Sequence, residues 1–409
     1  MEIARICAGF TPGQSDRLRQ AMTHKRSDEE MEKLRDETIA GMAGQGITGA
    51  AADEIWDKLQ GFASFGFPES HSVSFAYIVY MSAWLKYHWP AEFLAGLLNA
   101  QPMGFYSPNT LVQDAVRHGV VVLGPDVNES VFDCSIVPWD ADPADLATYY
   151  GVSWRRGRGA VEDPVRMATA VRMGLRYVRD LGETEITRIE AARLVGGAFS
   201  SVVDLAQRTG LPVGALEGLA AAGALEPLGV TRRQGLWAAG ALAGMGPGRL
   251  PLAAGTESPQ LGVMGEVDRA RADLWATGVS VRHPAEFVRE RLVAEGCVTV
   301  AEALGGMLAG RRIKVGGVVT HRQRPSTAKG VIFINLEDET GLLNVIVTPD
   351  VWSAQRDVAR RSVGLMIDGS LEHRDGVTNL IARRFTSWPV EGPVENIASR
   401  DWGSGGGRR

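Results

Sequence analysis

The sequence predicts a multidomain chain, α-helical over most of its length and all-β in a segment near its end. Two observations carry this. Up to about residue 294 apolar residues recur at three- and four-residue spacing, as at Ala76, Val79, Tyr80, Ala83 and Tyr87, the period of a helix with one buried stripe. From Arg311 to about Trp388 the pattern shortens to runs such as Ile313–Val319, Val331–Leu336 and Leu342–Val347, separated by glycine turns, which is the signature of strands. With 409 residues and 45% hydrophobic content, two to four packed domains are expected.

The helical elements follow in order. An amphipathic helix is predicted around Asp28 to Met42. The stretch Gly61 to Asn99 is the most informative: Pro68 cannot continue a preceding helix, so Pro68 to Ser72 should turn, with Ser70 or Ser72 capping a helix from about Val73 to His88. Pro90 ends that helix and opens another through Leu98. The apolar run breaks at Lys86, short of the roughly 20 residues a membrane span requires, so the helix reads as buried in protein. A helix start preceded by a histidine suits phosphate through free N–H groups and partial positive charge. A structural histidine beside a turn is the competing reading.

Residues 131–165 mix Pro, Gly, Asp and Arg without periodicity and read as a linker or insertion. Asp140 and Asp142 lie there between Pro138 and Pro143. Paired metals need carboxylates fixed on a rigid element, so these two read as a solvated loop. Residues 166–240 repeat a helix, glycine turn, helix unit: Leu181-Gly182-Glu183-Thr184 precedes a helix-like Ile186 to Leu194, and a second unit runs from Leu211 to Leu225. Nine arginines face six acids between Trp154 and Arg193. Backbone contact with nucleic acid and a helical spacer with a solvated face both fit. Residues 241–310 form a connector with helices at Glu266 to Trp275 and Pro284 to Ala294, and Gly305 to Gly310 is followed by Arg311-Arg312 where a phosphate-binding loop needs Lys-Ser/Thr.

Five short strands with a helix near Trp352 to Arg361 match an OB-fold over 311–388. Such barrels hold single strands by a basic groove and aromatic stacking. Twelve Lys/Arg stand against eight Asp/Glu between residues 311 and 386. Arg322, Arg324 and Lys329 flank one loop, and Phe333 either stacks outward or joins the core. The tail 389–409 is expected to be disordered.

A net charge of −5 requires any nucleic-acid surface to be local. Cys7, Cys134 and Cys297 form no metal-ligand spacing and point to a reducing cytoplasm, and Met1-Glu2 opens no signal peptide.

The Gly61 to Asn99 block resembles the fingers region of the bacterial C-family DNA polymerases, the DNA polymerase III alpha subunits, at Gly66-Phe67, Ser70-His71, Ser74 to Tyr77 and Leu85 to Phe93. Upstream, Ala8 to Thr11 and Asp16 to Met22 are similar to that family's arginine-bearing segment. The resemblance implies that Arg19, Ser70 and His71 contact the incoming deoxynucleoside triphosphate. Replicative members carry a lysine before the Ser-His pair and a second arginine after the first, whereas Glu69 and Gln20 stand here and remove cations that would face phosphate. Pro68 to His71 with Ala100 to Tyr106 is more similar to the error-prone, damage-tolerant paralogue.

Residues 166–240 resemble the family's tandem helix-hairpin-helix domain, and Gly317 to Arg324 with Leu336 to Gly341 its OB domain. The expected architecture is α-helical fingers over 1–130 and a tandem helix-hairpin-helix region, followed by an all-β OB-fold. The implied DNA contacts are Gly182 and Arg179 in the hairpin, and Arg322, Arg324, Lys329 and Phe333 in the barrel. Gln260, Leu261 and Met264 lie in a segment similar to sliding-clamp peptides, with Met264 where an aromatic residue is usual. The resemblance implies the C-terminal portion of a DNA-directed DNA polymerase in DNA repair, with template-primer, single-stranded DNA, a clamp and translesion accessory proteins as partners and no membrane. The palm aspartates that bind Mg2+ are expected N-terminal to Met1, which would leave this chain alone inactive. The alternative is a stand-alone, non-catalytic single-stranded-DNA-binding or partner-binding protein derived from the replicative subunit.

Overall fold

The computed structural model describes residues 2–23, 27–64, 69–104, 106–139, 169–242, 244–248, 258–325, 328–374, 376–388 and 400–402. Asp140, Asp142, residues 154–168 of the arginine-rich stretch, and the tail from Pro389 to 399 and beyond 402 lie outside the described residues. The chain divides into two units, one built on residues 1–83 with the loop 323–332, the other on 84–322 and 333–401. The division falls inside a helix, at Ala83/Trp84.

The first unit packs α1 (Glu2–Cys7), α2 (Pro12–Thr23), α3 (Ser27–Gly44) and α4 (Ala50–Ser64) around Leu18, Met31, Met42 and Trp56. Thr11 starts α2 with a reciprocal cap: Gln14 N–H donates to Thr11 Oγ1 at 3.3 Å while Thr11 N–H donates to Gln14 Oε1 at 2.8 Å. The predicted helix at Asp28 to Met42 is α3. After it, α5 (Glu69–His88) starts at Glu69, so Ser70 and Ser72 occupy its first turn and neither is the cap. The four-residue shift follows from Pro68, after which nothing bars a helix from starting at once. The expected burial of α5 fails: Phe75, Tyr77, Ile78, Val79 and Tyr80 are each more than half exposed.

In the second unit, α6 (Pro90–Asn99) and α7 (Pro108–Arg117) cover a small sheet of β1 (Val121–Leu123), β3 (Thr169–Arg172) and β2 (Ser135–Pro138), in that order. Ser107 Oγ accepts from Thr110 N–H at 3.2 Å to start α7. β1 runs parallel and β2 antiparallel to β3, with Val122 and Ile136 both opposite Val171. This sheet lies in stretches read from sequence as helical and linker. Three- and four-residue strands give alternation nothing to work on, and the partner β3 comes 46 residues or more after β1.

Next come α8 (Glu183–Gly196), α9 (Val202–Thr209), α10 (Val213–Ala221), α11 (Arg232–Leu242) and α12 (Glu266–Thr277), closing over Ile186, Ile189, Leu205, Leu216 and Leu219. The turn before α8 lies against α10 so closely that a Cβ on Gly218 would stand 2.2 Å from the Arg179 carbonyl oxygen. Glycine there costs helix propensity but lets the backbones meet. Arg208 closes the far end of α8, donating to the carbonyls of Ala192 and Gly197 with its guanidinium 4.4 Å from the Phe199 ring centre.

After α13 (Arg289–Ala294), β4 (Cys297–Val298) and α14 (Val300–Leu304), the chain forms a closed sheet: β5 (Arg312–Gln323), β6 (Ile332–Asp338), β7 (Gly341–Val347), β9 (Val377–Ser387) and β8 (Gly364–Arg374), with β8 returning to β5. β7 and β9 are parallel, and α15 (Pro349–Ala354) and α16 (Arg356–Arg361) lie between β7 and β8 in sequence. This five-strand, barrel-like order is consistent with an OB-fold, and its strands fall where the sequence placed them. Opposite Asp368/Gly369, β9 carries one extra residue at Arg383, and Gln355 spans the bulge by donating to Arg383 O and accepting from Phe385 N–H.

Candidate nucleic-acid interface

In the first unit, Arg19 and Gln20 sit on α2 and converge on one carboxylate: Arg19 Nε lies 2.8 Å and Gln20 Nε2 3.0 Å from Asp16. A phosphate at Arg19 must therefore compete with Asp16. His71 is exposed in the first turn of α5, its ring edge-on to Phe75 at 4.5 Å. Ser70 is in the same turn, and Glu69 opens the helix with an acid where an anion would otherwise be favoured.

At the hairpin before α8, the amides expected to meet phosphate are committed. Arg179 N–H donates to Ala276 O at 2.7 Å, Leu181 N–H to Val178 O at 3.3 Å, and Gly182 N–H to Glu185 Oε2 at 3.1 Å. Gly182 is thus the start of a capped helix. The Arg179 side chain is half-exposed, its guanidinium 4.8 Å from the Trp275 ring centre and 3.6 Å from Asp180. It remains presentable to a backbone.

The barrel separates its four candidates. Arg322 is buried, with Nε donating 2.9 Å to Ala359 O and Nη2 reaching Ser362 O, so it caps α16. That corrects its assignment as a DNA-contacting cation. No local pattern marks which helix end will land on a given arginine. Arg324 and Lys329, in the β5–β6 connection, are exposed. Phe333 alternates with the buried Ile332 and Ile334 and is partly exposed on the outer face of β6 with Asn335. On the same face of the adjoining strands Asn344 lies opposite Asn379, and Ile346 opposite Ile381. Amides, aliphatic surface and one aromatic ring make a surface suited to stacking and hydrogen-bonding unpaired bases.

The acids just beyond, read from sequence as part of a turn, hold the barrel to the helices. Glu337 is buried and accepts from Arg117 Nη1 at 2.9 Å; burial pushes its carboxyl up to about 7 against the pull of Arg117. Asp338 is buried as well, 2.8 Å from Arg289 Nη2 and accepting from the amides of Val300 at 2.9 Å and Thr340 at 2.8 Å. Glu339 accepts from Arg289 Nε and from the same Nη2, each at 2.6 Å. Beside them His283 is buried, its Nδ1 accepting from Ala285 N–H, and burial with the nearby Arg117 and Arg289 charges holds its pKa well below the usual histidine value. Sequence alone gave no sign that residues 220 apart would pair.

A cavity of about 430 Å³ opens where Trp139, Arg232, Arg269, Asp273 and Arg282 meet. Arg232 is 2.6 Å from Asp273, and Arg282 binds Glu266 and Glu286, so most of its charge is internally neutralised. The segment with Gln260, Leu261 and Met264 lies along α11, where Arg233 Nη1 donates 3.1 Å to Gly262 O and Met264 lines a second hollow of about 280 Å³. Among the described residues no helix is long and apolar enough to cross a membrane.

Residues 1–46 match the bacterial DNA polymerase III alpha subunit finger domain, and residues 119–235 the helix-hairpin-helix motif. Along nearly its whole length the chain is similar to proteins named error-prone DNA polymerase: 45% identical over 94% of this chain to that of Mycobacterium bovis, and 43% over 98% to that of Corynebacterium efficiens. Over that length its homologues are proteins named error-prone DNA polymerase. It spans about a third of the length of these relatives, 33% and 34% respectively. Among solved structures, asparaginyl-tRNA synthetase from Pyrococcus horikoshii is similar over 22% of this chain with 18% identity and a TM-score of 0.20.

Proposed function

We propose that this chain is the DNA-handling portion, C-terminal in the full enzyme, of an error-prone, damage-tolerant polymerase that extends primers during DNA repair in the cytoplasm. The observation that carries this reading is the family's sequence running through both a helix-hairpin-helix region and an OB-like barrel with an open outer face. Phe333 stacks an unpaired template base, with Asn335, Asn344 and Asn379 offering amides beside it. Arg324, Lys329 and Arg179 meet phosphates. Arg19 and His71, with Ser70 beside them, contact the triphosphate of the incoming nucleotide, and Asp16 and Glu69 temper that grip. A clamp contact at Gln260, Leu261 and Met264 requires the segment to leave Arg233, and accessory proteins of translesion synthesis remain partners of the whole enzyme.

Two magnesium ions, when bound, stabilise the attacking and leaving oxygens of nucleotidyl transfer. Among the described residues no cluster of three His, Cys, Asp or Glu is arranged to hold a metal, and the acids Glu337 to Glu339 are spent on Arg117 and Arg289. These residues do not fit that group, and no bond-forming step is assigned to them. The reading is tested by fluorescence anisotropy with a labelled single-stranded oligonucleotide across a salt series. Phe333→Ala should weaken binding by about 1–3 kcal/mol, and unchanged affinity would remove the barrel face from the reading. Nucleotide incorporation by this chain alone would overturn the assignment of chemistry elsewhere.

A further inference from the structure

The least expected surface of the molecule is α5. Its side chains at Val73, Phe75, Tyr77, Ile78, Val79, Tyr80, Met81, Trp84, Leu85 and Tyr87 are between 38% and 68% exposed. Five of these are consecutive, from Tyr77 to Met81, and 3.6 residues complete a helical turn, so the exposed apolar surface runs around the whole helix. Between Ser72 and Leu85 there is no charged residue. Ten such side chains, about half uncovered, present on the order of 1,000 Å² of apolar surface, beyond the few hundred that monomers usually expose. A helix apolar on all sides belongs in the interior of a larger body.

We propose that α5 is the core helix of an interface with the polypeptide that makes up the other two thirds of the error-prone DNA polymerases, whether that polypeptide is joined to this chain or separate. The inference rests on the family reading above. Three observations select this occupant. The surface surrounds the helix, so a second copy of the chain, meeting it along one face across a two-fold axis, would leave the opposite side wet. The relatives have twice as much further polypeptide as they share with this chain, enough to enclose a helix of about 30 Å. The exposed stretch carries no cation, so it offers nothing to hold a phosphate backbone along its length.

The test uses the intact chain and, as probe, the polypeptide that remains of the Mycobacterium bovis enzyme when its matched 388 residues are removed. Titration calorimetry should give a one-to-one complex, and Ile78→Asp with Val79→Asp should weaken it at least tenfold. Because both side chains already face solvent in this chain, circular dichroism and the melting curve of the doubly substituted chain should match the parent. Its affinity for single-stranded DNA should also be unchanged, so loss of the interface and loss of DNA binding read separately. Association that the double substitution leaves intact would overturn the proposal. So would sedimentation equilibrium showing the chain alone as a dimer that the substitutions dissociate, which would assign the helix to a second copy.

Discussion

Replacing Arg117 by Met should destabilise the protein by an amount that grows with pH, and Glu337 sets the slope. Burial raises this acid to about 7 from an ordinary 4.5 even with Arg117 beside it. A carboxyl raised by folding binds its proton more tightly in the folded state, so its stability contribution is fully present below pH 4.5 and is lost as pH rises through 7. At about 1.4 kcal/mol per pH unit, that loss levels off near 3 kcal/mol in the parent, because above pH 7 the acid ionises against Arg117. Without the guanidinium the acid stays protonated through pH 8, and the loss continues to about 5 kcal/mol. The difference between the two chains is close to zero at pH 6 and about 1.4 kcal/mol at pH 8 from titration alone. Breaking the 2.9 Å hydrogen bond to Glu337 adds a pH-independent cost of about 1–3 kcal/mol. Urea unfolding at pH 6, 7 and 8, followed by tryptophan fluorescence, measures both parts. A stability difference that stays flat from pH 6 to 8 would refute the reasoning, and in a Glu337→Gln background the difference between Arg117 and Met should lose its pH dependence.

Gly218→Ala should cost about 1–3 kcal/mol by forcing the Arg179 carbonyl away, whereas Gly214→Ala, whose Cβ would meet Asp180 Cβ at an ordinary 3.5 Å, should be neutral or gain up to about 1 kcal/mol of helix propensity; urea midpoints distinguish them. Arg322→Ala should lose about 1–3 kcal/mol by stranding the Ala359 and Ser362 carbonyls. Arg324→Glu should leave stability alone while weakening single-stranded DNA binding and lowering its salt slope by about one. Anisotropy and melting curves together should show the two arginines parting in this way. His283 has a lowered folded pKa, so the unfolded chain takes up the proton first and stability should fall by about 1.4 kcal/mol per pH unit below 6.5. Nitrogen chemical shifts should find its ring still neutral at pH 5.5.

The barrel was readable because its strands are long enough to alternate, as in Ile332, Ile334 and Leu336 against Phe333 and Asn335. The same alternation, once observed, decides between core and surface for Phe333, which composition left open. The small sheet of β1, β2 and β3 escaped because three residues carry no period and its pairing crosses a long gap in sequence. Arg322 and Arg324, two positions apart, look alike as text; only the arrival of α16 against Arg322 makes one a buried cap and leaves the other in solvent. Residues 337–339 read as a charged turn because their partners, Arg117 and Arg289, come from distant elements. For α5 the uncharged apolar run reads as an interior helix, whereas in this chain its side chains stand exposed.

The clasp at Arg117 and Arg289 also has an order in time. In both pairs the base precedes the acid along the chain, by 220 residues for Arg117 and Glu337 and by 49 for Arg289 and Asp338. At roughly 5–20 residues per second of synthesis, Arg117 emerges about 10–40 s before Glu337. During that wait it is a solvated cation, the state a guanidinium tolerates at no cost. The carboxylates, which cannot be buried alone, arrive only when their counter-charges are already in place. A ribosome that stalls before residue 337 therefore releases a chain with two exposed bases, not one with a buried, unmatched acid.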